Sequence, residues 1–123
     1  MTDAVKLVRN KGFRVDDTSD FTLTPPAGGL HVLIGTASGS ADGYSQQAFF
    51  FVHGHFLRTD LADTSAAIHL TWRTDTTIAL SYAVYKPNEP LCCPTGGALI
   101  VRYKWDGTKL RALDPVPPAA ARR

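Results

Sequence analysis

At 123 residues, with 44% apolar and 20% charged residues, the chain has the size and balance of one globular domain rather than a disordered or coiled-coil one. Thirteen Lys and Arg against eleven Asp and Glu leave +2, which excludes a general electrostatic hold on nucleic acid. No run approaches the ~20 apolar residues of a membrane span, and Met1-Thr2-Asp3-Ala4 shows no basic leader or apolar core of a secretory signal.

The first expected element is a short helix from about Asp3 to Lys11. Thr2 or Asp3 caps it, Gly12 gives a left-handed exit, and Ala4, Val5, Leu7 and Val8 form its apolar face. The polar run Asp16-Asp17-Thr18-Ser19-Asp20 reads as a loop, with Phe21-Thr22-Leu23 as a short edge strand or docked segment. From Leu30 onward the period is two. Leu30–Thr36 and Gln46–Val52 read as strands, and Phe49-Phe50-Phe51 supplies apolar side chains to both faces.

His53-Gly54 has the spacing of a two-residue hairpin, placing Phe51 opposite Phe56 and Phe50 opposite Leu57. Ile68, Leu70 and Trp72 share one face of a strand, and Ile78, Leu80, Tyr82 and Val84 one face of the next. Pro87–Gly97 is a loop carrying three prolines and both cysteines. An Asp106-Gly107 turn then sets Tyr103 opposite Leu110 and Val101 opposite Ala112 on the inner face. Lys104 meets Lys109 and Arg102 meets Arg111 on an outer, wet one. Residues 1–118 form a single domain and 119–123 a flexible tail. The expected fold is α+β, a mostly antiparallel sheet of five to seven strands with one N-terminal helix packed on it. The alternative is a small two-layer β-sandwich with an accessory helix.

Few residue patterns carry chemistry. His53 and His55 suggest a metal pair, with His69, Cys92 and Cys93 as further ligands, but a turn between the two histidines spoils their convergence. The only cysteines, Cys92 and Cys93, are neighbours, whose Cα atoms lie about 3.8 Å apart, below the usual range of about 4.4–6.8 Å for a disulfide. An adjacent disulfide ring and two free, partly buried thiols both remain open. No nucleophile elbow, phosphate loop or paired carboxylates across a cleft is present, so no catalytic residue, cofactor or metal is assigned. The candidate interaction surface comprises Asp42, Gly43 and Tyr44 in one loop and Pro94, Gly96 and Gly97 in another. Residues 98–123 carry +4, a patch that suits peripheral contact with anionic lipid, although basic side chains also protect sheet edges.

The segments Gly43-Tyr44-Ser45-Gln46-Gln47-Ala48-Phe49-Phe50-Phe51-Val52, Cys92-Cys93-Pro94-Thr95-Gly96-Gly97 and Tyr103-Lys104-Trp105-Asp106-Gly107 together resemble the LppP/LprE family of actinobacterial, largely mycobacterial, lipoproteins. The resemblance runs from about Ala4 to Pro118, with Cys-Cys-Pro-x-Gly-Gly as its most specific part. It implies a domain carried outside the cytoplasmic membrane behind a lipidated cysteine, although this chain shows no signal peptide or lipobox. Export in turn favours an oxidised Cys92–Cys93 pair. The family pattern has Asn-Gly where His53-Gly54 stands, which supports the hairpin over the metal reading. The resemblance names no reaction or ligand. The expectation is a non-enzymatic exported or envelope-associated domain binding an envelope protein or small ligand, with no nucleic-acid partner and no transmembrane segment. The alternative is a cytosolic metal-binding or thiol-redox protein using His53, His55, Cys92 and Cys93.

Overall fold

A computed structural model describes residues 2–17, 20, 29–39 and 44–123. Helix α1 (Thr2–Asn10) opens the chain, followed by β1 (Phe13–Asp17), β2 (Leu30–Ala37), β3 (Gln46–Val52) and β4 (His55–Thr59). Then come β5 (Ile68–Arg73), β6 (Thr77–Ala83), β7 (Ala98–Trp105), β8 (Leu110–Ala112) and a second short helix, α2 (Ala119–Arg122). The strands form two antiparallel four-stranded sheets in chain order, β1-β2-β3-β4 and β5-β6-β7-β8. The expected single sheet of five to seven strands with one N-terminal helix is therefore corrected. Two sheets pack as two layers, with a short helix near each end of the chain. Alternation divides the faces of most strands, but does not show that the 60–67 connection carries the chain from one layer to the other.

Phe49-Phe50-Phe51 explains why the layers stack. Phe50 joins Leu30, Val32, Ile34 and Val52 against Ile78, Leu80, Tyr82, Val101 and Tyr103 in the core between the sheets. Phe49 and Phe51 point the other way, to Ala4 and Val8 of α1. Each strand contributes alternate side chains to a face, so a run of three rings serves both layers. Gly35 lies where a Cβ would sit 3.1 Å from both Phe13 Cβ and Val8 Cγ1, and its bare backbone lets α1 and β1 close onto the sheet.

Several registers differ from expectation. β1 takes in Asp16 and Asp17, which read as loop, because pairing with β2 holds the backbone extended despite the carboxylates. Phe51 does face Phe56, but a bulge puts Phe50 opposite Arg58 instead of Leu57. The Asp106 hairpin is two residues longer than a two-residue turn, setting Tyr103 opposite Ala112, Lys104 opposite Arg111 and Trp105 opposite Leu110. A two-residue turn of the primed type needs a positive φ at its first central residue, here Asp106. Among described non-glycine residues only His53, Asn88 and Arg123 have one. Asp106 instead accepts the N–H groups of Thr108 and Lys109, each at 2.8 Å, and widens the loop.

The largest departure is at β5. A bulge between Leu70 and Trp72 places Trp72 opposite Ala79 and Arg73 opposite Ile78. Trp72, which shares the inner face with Ile68 and Leu70 in a regular strand, is turned out and is 53% exposed. Arg73 is turned in, where it meets Asp20 at 2.5 Å and the Leu30 carbonyl at 2.6 Å.

Candidate functional site

The two ends of the sandwich differ. Leu30 pairs with Val52 where the His53-Gly54 turn leaves the first sheet, and its N–H bonds the Asp75 carbonyl in the β5–β6 turn at 2.7 Å. The Cys92–Gly97 loop leaves the second sheet from the opposite end, where Ala83 pairs with Ala98. His53 and His55 therefore stand far from Cys92 and Cys93. His53 and Gly54 take φ of 51° and 78°, the geometry of a tight hairpin rather than of ligands sharing a strand face. His69 is exposed on the outer face of the second sheet. Among the described residues no group of three or more His, Cys, Asp or Glu is placed to hold a metal. The metal and redox alternative has no assembled site behind it.

The end carrying the cysteines is built more densely. Cys92 and Cys93 are joined to each other across 3.8 Å of Cα separation, and both are exposed. The loop around them folds on Glu89, whose carboxylate accepts the Lys86 N–H at 2.5 Å, the Thr95 N–H at 3.0 Å and the Thr95 hydroxyl. These donors hold its pKa below the usual carboxylate range. Gly96 and Gly97 return the chain to the sheet: Gly96 N–H donates to the Val84 carbonyl at 3.1 Å, and Val84 N–H to Gly97 at 3.0 Å. A Cβ on Gly96 would lie 2.5 Å from the Val84 oxygen, so the Gly-Gly half of the Cys-Cys-Pro-x-Gly-Gly run is a close-approach requirement.

Helix α2 closes the same end. The Tyr85 N–H donates to the Ala121 carbonyl at 2.8 Å, and the Ala66 N–H to Arg122 at 2.8 Å. Arg122 is buried, its Nε bonded to the Pro117 carbonyl and its Nη1 to the Ser65 hydroxyl. Arg123 lies over the Tyr85 ring at 5.4 Å and donates to the carbonyls of Lys86 and Glu89. Between loop and helix runs a groove of about 640 Å³, lined by Tyr85, Pro87, Asn88, Pro118, Ala119, Ala120, Ala121 and Arg123. Burial, with Tyr44 close by, raises the Tyr85 phenol pKa. Tyr44 and the Cys92–Gly97 loop thus share one end, as two parts of the sequence-expected surface. Asp42 and Gly43 lie outside the described residues. The signal missed in the sequence was the C-terminal segment itself, whose small residues and arginines carry no apolar period.

A second polar cluster lies between the sheets. Tyr82 donates to Asp60 at 2.7 Å, the Tyr82 and Tyr103 hydroxyls are 2.5 Å apart, and Asp60 accepts the Ala48 N–H at 3.1 Å. Burial raises the Asp60 pKa against the lowering effect of these bonds, and pushes Tyr103 up to about 12. Asp63, three residues further on, is exposed. The cluster fastens one sheet to the other.

Among the described residues no helix is long and apolar enough to cross a membrane. No curated protein and no solved structure matches the chain significantly. The sequence profile described as LppP/LprE lipoprotein matches residues 24–108, which take in β2 to β7, the cysteine loop and the Trp-Asp-Gly turn. The chain belongs to the LppP/LprE lipoprotein family, a family of exported, cell-envelope domains.

Proposed function

We propose that this is a non-enzymatic extracytoplasmic domain that takes a small organic ligand, or an apolar side chain of an envelope partner, at the end of the sandwich bearing Tyr44 and the cysteine loop. The observation carrying this reading is the groove of about 640 Å³ between Pro87-Asn88 and α2. Its volume suits a small-molecule site, with mostly apolar walls and few polar groups to fix orientation. The walls are held from behind by the Glu89 and Arg123 bonds and by the Cys92–Cys93 bridge, so an occupant need not order them. Two titratable groups of this end, Glu89 and Tyr85, are engaged in structural hydrogen bonds, which favours binding over acid–base chemistry.

The test is an amide NMR titration with indole, phenol and N-acetylprolinamide, chosen for a groove walled by one aromatic ring and two prolines. The reading expects saturable shifts at residues 85–88, 95–97 and 119–123, abolished by Ala120→Trp, which fills the groove. Shifts that fall elsewhere, or none at millimolar probe, overturn it.

A further inference from the structure

The two sheets differ in what covers their outer faces. The first sheet lies under α1. Among the described residues nothing lies on the second. Its outer face runs in cross-strand rows: Trp72, Ala79, Arg102 and Leu113, with Ser81 and Ile100 on one side and Lys104 and Arg111 on the other. Trp72 and Ile100 are each 53% exposed and Leu113 is 41% exposed. Asp114 neutralises Arg102 at 2.8 Å, and Asp106 lies 3.6 Å from Arg111. Lys104, directly opposite Arg111, and Lys109 have no carboxylate partner among the described residues.

We infer that this face docks on an anionic lipid bilayer, with Trp72 entering the headgroup boundary and Lys104 and Arg111 meeting lipid phosphates. The proposal is independent of the groove at the end of the sandwich. Edge protection accounts for lysines and arginines on an outer strand, but not for the aromatic beside them. A regular β5 would bury Trp72, and the bulge is what brings it out. An indole set among cations matches the boundary between acyl chains and anionic headgroups, where an amphipathic ring is favoured and nearby cations add attraction. A cationic cross-strand pair, unfavourable in isolation, gains from phosphate between its members. A domain of an envelope lipoprotein family also has a bilayer within reach. A second copy of the chain is disfavoured, because the carboxylates beside this face, Asp114 and Asp106, are already engaged with Arg102 and Arg111.

The full chain, carrying Trp105→Phe so that emission reports Trp72 alone, is mixed with vesicles of phosphatidylcholine and phosphatidylglycerol in equal parts, and with phosphatidylcholine alone. Expected are co-sedimentation with the anionic vesicles only, a blue shift of Trp72 emission and weakening by salt. Lys104→Gln with Arg111→Gln should cost roughly 25-fold in partitioning. Trp72→Ala should lower it several-fold with circular dichroism and urea midpoint unchanged. Partitioning insensitive to these substitutions, equal partitioning into neutral vesicles or none into anionic ones overturns the proposal. So does concentration-dependent self-association that Trp72→Ala removes, which would assign the face to a second copy.

Discussion

The outer faces of the two sheets solve the same problem oppositely. Both sheets send alternate side chains into the shared core, and each must then do something with its remaining residues. On the first sheet those residues are Leu33, Phe49 and Phe51, and α1 lies on them. On the second they are Ser81, Arg102 and Lys104, polar enough to face water, with Ala79 buried among its neighbours and Trp72 and Ile100 as exposed exceptions. A covered face is read from its own composition. On a bare face it is the apolar residue out of place that carries information.

The sharpest way to break the comparison is to truncate matched residues on the two faces. Phe49 is fully buried under α1 and edge-packed on Phe13 with centroids 5.2 Å apart. Phe49→Ala should cost about 4 kcal/mol through lost transfer energy and the cavity left behind. Ile100→Ala, on the bare face, should stay within about 0.5 kcal/mol. Urea unfolding of both variants checks this, and equal losses would mean that the second sheet's outer face is covered in solution.

The bulge in β5 allows the same comparison within two adjacent residues. Asp20 is almost wholly buried and depends on Arg73, which also reaches the Leu30 carbonyl of the other sheet. Arg73→Met leaves a buried carboxylate unpaired, at a cost of about 3 kcal/mol. Trp72→Ala next to it should leave the urea midpoint where it is. Similar losses at both positions would make Trp72 part of the fold rather than of a surface.

How much of this was legible in the sequence follows the same division. Helix α1 was, because Ala4, Val5, Leu7 and Val8 form one stripe ending at a glycine, and the helix spans Thr2–Asn10. β2, β3, β5 and β6 were legible from alternation, as was the His53-Gly54 turn. The split into two sheets was not, because Phe49-Phe50-Phe51 fits one thick sheet under a helix as well as one layer of a sandwich. Bulges at Leu57 and Thr71 are invisible to a period of two, being single-residue departures set by partners elsewhere, as Arg73 is by Asp20. At the candidate site, Tyr44 and the Gly96-Gly97 return were read as surface, but the groove was hidden. It depends on Arg122 and Arg123, whose partners Ser65, Pro117, Lys86 and Glu89 lie along the chain with no pattern to link them.

The cysteine-loop end gives a smaller effect. Gly96→Ala forces its Cβ to within 2.5 Å of the Val84 carbonyl, and the strand or loop must shift. A loss of about 2 kcal/mol is expected, typical of overpacking. Ala substitution at Gly54 also loses stability, since φ is 78° there, but meets no atom within 4 Å. The two variants separate by where their amide shifts change: Gly96→Ala should perturb Val84, Tyr85 and the groove, and Gly54→Ala only the hairpin.

Acid should separate the surface carboxylates from buried Asp60, with the smallest effects of the set. Asp106 and Asp114 are held at about 2, Asp106 by the Lys109 and Thr108 donors and Asp114 by Arg102. Their contribution is complete above the unfolded value of about 3.9 and is lost as pH falls through about 2. Asp60 runs the other way. Its folded pKa is raised, so the native state takes up its proton first, and falling pH between the raised value and about 3.9 favours the fold. Asp60→Asn removes that rise while its side chain still accepts from the Ala48 N–H and meets Tyr82. Asp114→Asn removes part of the loss below pH 4. Urea midpoints taken from pH 7 to pH 2 should therefore steepen in acid for Asp60→Asn and flatten for Asp114→Asn. Parallel curves would mean that neither carboxyl titrates differently in the folded chain, and that the inter-sheet cluster is as wet as the bare face beside it.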